Sequence, residues 1–216
     1  MKSLTTHINE KLQLNRDRVK QYEYYPKTKE ELQEIIKEIT NQHKNDEVID
    51  LNMIDVSNIT DMSELFSGNV YQYNIYEWDV SNVKNMSDMF AYSEFDQDIS
   101  KWNVSNVEDM SSMFANSYFN HDISKWNVSQ VEDISGMFAY SIFNKDISKW
   151  NVSNVKNISL MFYTSKFNQD ISRWDVSNVE HMRSMFTNSQ FNKDLTPWKN
   201  KIKDKEQLKY IKKFIK

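Results

Sequence analysis

The chain has 216 residues, a formal net charge of −4 and a hydrophobic fraction of 39%. That length supports one well-buried domain with end pieces. The absence of cysteine excludes disulfides, thiolate metal sites and cysteine nucleophiles.

The N-terminal stretch MKSLTTHINEKLQLNRDRVK lacks the continuous apolar core of a signal peptide. No apolar run approaches the roughly 20 residues that span a bilayer. A cytoplasmic location is therefore the expectation. Further on, Thr28-Lys29-Glu30-Glu31 reads as a capping box. It opens a helix with Leu32, Ile35, Ile36 and Ile39 on one face. Residues 1–45 are read as an N-terminal helical cap region.

A 24-residue period then dominates. Trp78, Trp102, Trp126, Trp150, Trp174 and Trp198 are each 24 apart, and Ile54 fills the same slot one period earlier. Two residues on stands Val (Val56 to Val176), twelve on Phe (Phe66 to Phe186), and seventeen on an aromatic (Tyr71, then Phe95 to Phe191). The register is unbroken from 54 to 197, giving six full repeats within a solenoid region of 46–198. In Lys101–Ser105 polar and apolar residues alternate, which predicts a short strand. Ile99-x-x-Trp102-x-Val104 has the shape of a leucine-rich repeat. Met110, Met113 and Phe114 follow i, i+3, i+4, which predicts a helical turn facing the core and capped by Asp109. The fold class expected is an α/β repeat solenoid, leucine-rich-repeat-like, with parallel strands and helical caps at both ends. Gly and Pro are scarce, two of each, so Asn, Asp and Ser are expected to turn the corners. Residues 199–216 hold eight Lys against Asp204 and Glu206, and Leu208, Ile211, Phe214 and Ile215 stripe a basic C-terminal capping helix.

Residues 54–198 carry ten Lys and Arg against nineteen Asp and Glu, a net −9. This acidity repels phosphate backbones and argues against direct nucleic-acid binding. It matches a protein partner of basic character.

FNHDISKWNVSQVEDISGMFAYS (119–141) and its sibling repeats closely resemble the BspA-like bacterial leucine-rich-repeat surface proteins. The resemblance is nearest to their mycoplasma-type subfamily, with its F-N-x-D-I-S-x-W-D/N-V-S-N-V…M-F signature. It spans 54–198, and YYPKTKEELQEIIKEI (24–39) looks like the lead-in to such arrays. The resemblance implies a solenoid with a binding role in adhesion or host interaction, placed at the cell surface or secreted, and implies no catalytic residues. The N-terminus lacks the export signal of surface members, which keeps an intracellular binder or inhibitor among the readings.

Chemistry is sparse. Asp98, Asp122, Asp146, Asp170 and Asp194 recur once per repeat and read as turn residues, with a calcium ladder as the functional alternative. The histidines His7, His43, His121 and His181 occupy unrelated slots without metal spacing. No enzyme activity, metal or cofactor is expected. Constant columns build a frame, so recognition is expected where the repeats differ. Thirteen to sixteen residues after the Trp slot lie Tyr92, Tyr118, Tyr140, Ile142 and Tyr163, an aromatic edge suited to an interface. The second candidate is the outer strand face, with Lys101, Lys125, Lys149 and Arg173 beside Asn103, Asn127, Asn151 and Asp175.

Three functions follow from this reading. The first is a monomeric protein-binding scaffold. The second is a surface adhesin or glycan binder. The third is an acidic inhibitor, of the kind phages and mobile elements carry, that occupies a basic nucleic-acid channel of an enzyme.

Overall fold

The structure, a computed structural model, describes residues 22–216; residues 1–21 of the expected N-terminal cap lie outside them. The capping signal opens α1 (Lys29–His43), whose Thr28 Oγ1 accepts from the Glu31 N–H at 3.2 Å. The Glu31 carboxylate reaches back to the Lys27 N–H at 2.7 Å, one residue before the N-cap. Leu32, Ile36 and Ile39 are buried in the same core as the first repeat, and Thr40 is 3.0 Å from the Tyr73 hydroxyl. The apolar stripe of α1 thus covers one end of the repeats.

Hydrogen bonds link each repeat to the next at the sequence period. Strands β1 (Ile49–Asp50) and β2 (Tyr73–Asn74) pair in parallel with partners 24 residues apart. Single parallel bridges then run Asp61–Asn85–Asp109–Asp133–Asn157–His181. In the following segment every second N–H reaches the next repeat. Met110, Ser112, Phe114 and Asn116 donate to the carbonyls of Asp133, Ser135, Met137 and Ala139 at 2.7–3.0 Å.

Neither the strand expected at Lys101–Ser105 nor the helical turn expected at Met110–Phe114 forms. Asn103 Oδ1 accepts from the Ser105 N–H at 3.2 Å, which bends the backbone where a strand must run straight. Ser112 and Asn116 adopt φ of 54° and 51°, so the chain leaves right-handed helical space twice in five residues. Asp109 accordingly serves as a corner residue, accepting from the Ser111 N–H at 2.8 Å, rather than as a helix cap.

Both left-handed positions repeat in all six units. Ten and fourteen residues after the Trp slot, every residue has positive φ, including Tyr92, Tyr140, Leu160 and Thr164; the chain's two glycines, Gly68 and Gly136, occupy the same columns. A β-branched side chain fits this region poorly. Exchanging Thr164, exposed at φ 53°, for Gly is expected to raise unfolding free energy by about 0.5–1 kcal/mol in urea denaturation. Gly136→Ala is expected to lower it by a similar amount, because its Cβ would meet Ser112 Oγ at 3.1 Å. The opposite signs would show that these turns are not held as described.

The apolar columns stack. The Phe66–Phe90–Phe114–Phe138–Phe162–Phe186 rings are 5.6–6.0 Å apart and within 11° of parallel. A second ladder, Phe95 to Phe191, runs beside it at 6.3–6.5 Å spacing. Each indole N–H donates to the carbonyl 27 residues back, as Trp126 does to Ile99 at 3.3 Å and Trp150 to Ile123 at 3.1 Å. Tryptophan suits this slot because it fills the core and still pairs the repeats through a satisfied polar edge. The buried hydroxyls of Ser93, Ser117 and Ser165 donate to the phenylalanine carbonyl three residues back at 2.8–3.0 Å.

Side-chain turns close the corners. Asp98, Asp122, Asp146 and Asp170 each accept from the N–H two residues on at 2.9 Å. That backbone bond, first among the causes, holds their carboxyls below the usual aspartate range. Asp194 is lowered chiefly by the Thr196 hydroxyl. Depressed folded values stabilise above the unfolded pKa of about 3.9 and are lost as pH falls through the folded values. Asp88 acts oppositely, being raised mainly by desolvation. Five groups outweigh one, so the urea midpoint is expected to fall once pH drops below about 4. Asp146→Asn, which retains the acceptor, is expected to flatten that dependence; a midpoint that rises with acid would contradict the assignment.

The C-terminal end forms three 3₁₀ segments, η1 (Thr196–Asn200), η2 (Lys205–Tyr210) and η3 (Lys212–Phe214), in place of the expected capping helix. The stripe explains this, because Leu208, Ile211 and Phe214 are spaced by three, the period of a 3₁₀ turn. Phe214 meets Phe186 and Phe191 edge-on at 5.2 Å and closes both phenylalanine ladders.

Candidate partner-binding groove

The segment after each core phenylalanine decides what the surface offers. In the fourth repeat Phe138 is buried, Ala139 almost so, Tyr140 points out, Ser141 is buried, and Ile142 is half-buried. The alanine column is short enough to leave a trough: Ala91, Ala115 and Ala139 form a small apolar cluster against which Tyr163 packs. Tyr163 replaces alanine in the fifth repeat and meets the Tyr140 ring edge-on at 5.2 Å. Desolvation, followed by a hydrogen bond with Tyr163, raises the Tyr140 hydroxyl above the ordinary tyrosine range.

Of these residues Ala115, Ala139, Tyr140 and Tyr163 help to line an open groove of about 560 Å³ that crosses repeats two to six. Tyr92, Tyr140, Leu160 and Tyr163 supply its apolar rim, and Ala115, Gly136 and Ala139 lie along it. The left-handed backbone at Tyr92 and Tyr140 carries exposed rings, 64% and 54% accessible. The structure therefore brings together Tyr92, Tyr140 and Tyr163 but leaves Tyr118 and Ile142 outside the lining. Those two stand sixteen residues after the Trp slot, beyond the buried serine, where Tyr118 is exposed on its own.

Sequence reasoning missed Ser112, Gly136, Ser159, Leu160, Arg183 and Ser184 of this lining. Leu160 carried a readable signal, being the one apolar residue in a column otherwise filled by Glu64, Asp88, Ser112, Gly136 and Ser184. Arg183 carried none, because its place in the groove depends on the left-handed turn beside it.

On the second candidate face Lys101, Lys125, Lys149 and Arg173 are exposed in a row, as are Asn103, Asn127, Asn151 and Asp175. The amide or carboxylate oxygens of that last row are already used, each accepting from the serine N–H two residues on at 3.1–3.2 Å. The acidic charge lies elsewhere. Glu108 and Glu132 pair across repeats with Lys84 and Lys156 at 3.0 and 2.6 Å. Near them Asn82, Asn106, Asn154 and Asn178 donate to carbonyls 25 residues back at 2.6–2.8 Å. Among the described residues no group of three or more His, Asp or Glu could hold a metal ion. No helix among them is long and apolar enough to cross a membrane.

A family model described as Mycoplasma protein of unknown function, DUF285, matches residues 31–142 and, overlapping them, 116–214. No curated protein and no solved structure matches the chain. Two overlapping matches are what a chain of equivalent units gives, since the same model can be laid on it at more than one register. Its matched residues take in most of α1, all six repeats and most of the C-terminal segment, and the chain belongs to the DUF285 family of Mycoplasma-type repeat proteins.

Proposed function

We propose that the chain is a non-catalytic, leucine-rich-repeat-like solenoid that binds another protein along the tyrosine groove. One observation carries this reading. The constant apolar columns are buried and spent on holding the repeats together, whereas exposed Tyr92, Tyr140 and Leu160 and half-buried Tyr163 are gathered on one groove. Accessible tyrosines around small floor residues offer large contact area at little ordering cost.

The test is affinity capture from lysate of the native cell, using wild type and a Tyr92→Ala/Tyr140→Ala/Tyr163→Ala variant matched by circular dichroism. A specific partner is expected to fall about ten-fold on the variant, the loss of one to two interface anchors. Equal recovery on both would remove the groove from the function.

The inhibitor reading is favoured by the Glu108 and Glu132 side, where carboxylates project from successive repeats. The adhesin reading rests on the resemblance to BspA-like surface proteins. The first would show as capture of a basic enzyme that survives the tyrosine substitutions, the second as glycan- or host-dependent retention.

A further inference from the structure

The tyrosine groove does not end at the sixth repeat. Ser184 lines it and also lines a second open cavity of about 750 Å³, bounded by Thr187, Asn188, Lys209, Tyr210, Lys212 and Lys213. One trough therefore runs from Tyr92 into the C-terminal 3₁₀ segments. Its two halves differ in character. The first is aromatic and carries one charge, Arg183; the second carries three lysines; neither is lined by a carboxylate. Some of these cations have partners. Lys209 is 3.7 Å from Glu206 and 5.1 Å from the Tyr210 ring centre, and Lys213 lies over the Phe214 ring at 4.7 Å. Arg183 and Lys212 make no ion pair among the described residues and are exposed.

We propose that this trough takes an extended acidic peptide segment of the partner. An apolar side chain lies among Tyr92, Tyr140 and Tyr163, and carboxylates follow at Arg183, Lys209 and Lys212. The proposal rests on the protein-binding reading above and adds the partner's chemistry. It runs against the basic partner that bulk charge suggests, because the acidic residues of the body do not line this trough.

The dimensions suit a peptide. Five repeat steps of about 4.8 Å give roughly 24 Å, the length of about seven extended residues. A single-stranded nucleic acid fits less well, since its backbone needs cations beside each stacking ring. Here the cations are segregated at one end. Residues 1–21 do not suit the basic half either, holding five Lys and Arg against two Asp and Glu.

The test pans a random heptapeptide phage library against the full chain, with affinities of recovered peptides read by fluorescence anisotropy. A dT12 oligonucleotide serves as the nucleic-acid probe. Enrichment is expected for peptides with an aromatic or large aliphatic residue beside at least two Asp or Glu. Their binding is expected to weaken about ten-fold in Lys209→Glu/Lys212→Glu and on raising salt from about 0.05 to 0.3 M. Enriched peptides that are neutral or basic, yet need Tyr140 and Tyr163, would overturn the acidic partner and leave the groove standing. No enrichment above the Tyr140→Ala/Tyr163→Ala variant would overturn both. Tighter binding of dT12 than of any peptide would overturn the proposal in favour of nucleic acid.

Discussion

Phe138→Ala is expected to lower the unfolding free energy by about 3–5 kcal/mol, the range for emptying a buried aromatic site. Phe138 is fully buried and contacts rings on both sides along the ladder, Phe114 at 5.9 Å and Phe162 at 6.0 Å. It also stacks on Phe143 within its own repeat at 4.0 Å and leans on Trp150 at 6.5 Å. The cavity left behind cannot collapse easily, because backbone bonds fix the repeats on either side. Phe138 itself donates to the Met161 carbonyl at 3.0 Å, and Phe114 donates to Met137 at 3.0 Å. Two residues on, Tyr140→Ala removes an exposed ring and is expected to cost less than about 1 kcal/mol. Urea denaturation of the two variants side by side separates the buried frame from the exposed groove. Similar losses for both would mean that the tyrosine is part of the frame.

This contrast has a counterpart in what could be read from the residues alone. The tryptophan and phenylalanine columns were legible because a buried ring every 24 residues has few explanations other than stacking. The corners were legible too, since Asp98, Asn103 and Asp109 each precede a serine by two. The turns between were not. Met110, Met113 and Phe114 have helical spacing, yet they are separated by Ser112 in left-handed space. Nothing in a serine, tyrosine or leucine announces positive φ; the hints were Gly136 and Asp88 in one column and Gly68, Asn116 and Asn188 in the other. The aromatic edge suffered from the same blindness. With regular backbone Tyr118 and Tyr140 would share an edge, but the buried serine between their columns turns them apart.

The C-terminal segment teaches a related point. Its stripe reads as helix by composition, while the spacing of Leu208, Ile211 and Phe214 selects the tighter turn. That turn places Lys209 and Lys212 at the end of the groove. An α-helix would distribute them around a different face. Capping the ladders and supplying cations to the groove are thus done by one short segment.

If stability comes mainly from contacts between neighbouring repeats, the chain is divisible only at its own period. Excising residues 126–149 joins Lys125 to Trp150 and preserves every column, with the Trp150 indole standing where Trp126 donates to the Ile99 carbonyl. Excising residues 126–137 removes half a period and puts Phe138 in the tryptophan slot, so the repeats on the two sides of the junction no longer meet in register. The second deletion is half as long, yet its expected effect is far larger.

The most direct measurement is therefore urea unfolding of these two deletions, followed by circular dichroism and tryptophan fluorescence. The 24-residue excision is expected to unfold cooperatively, with an m-value lower by about one-ninth, since 24 of 216 residues are removed. The 12-residue excision is expected to lose that single transition, because the repeats on the two sides of the junction no longer unfold together. A 12-residue excision that unfolds in one transition as steep as that of the full chain, or loss of cooperative unfolding in the 24-residue excision, would contradict a frame built from repeats bonded in register.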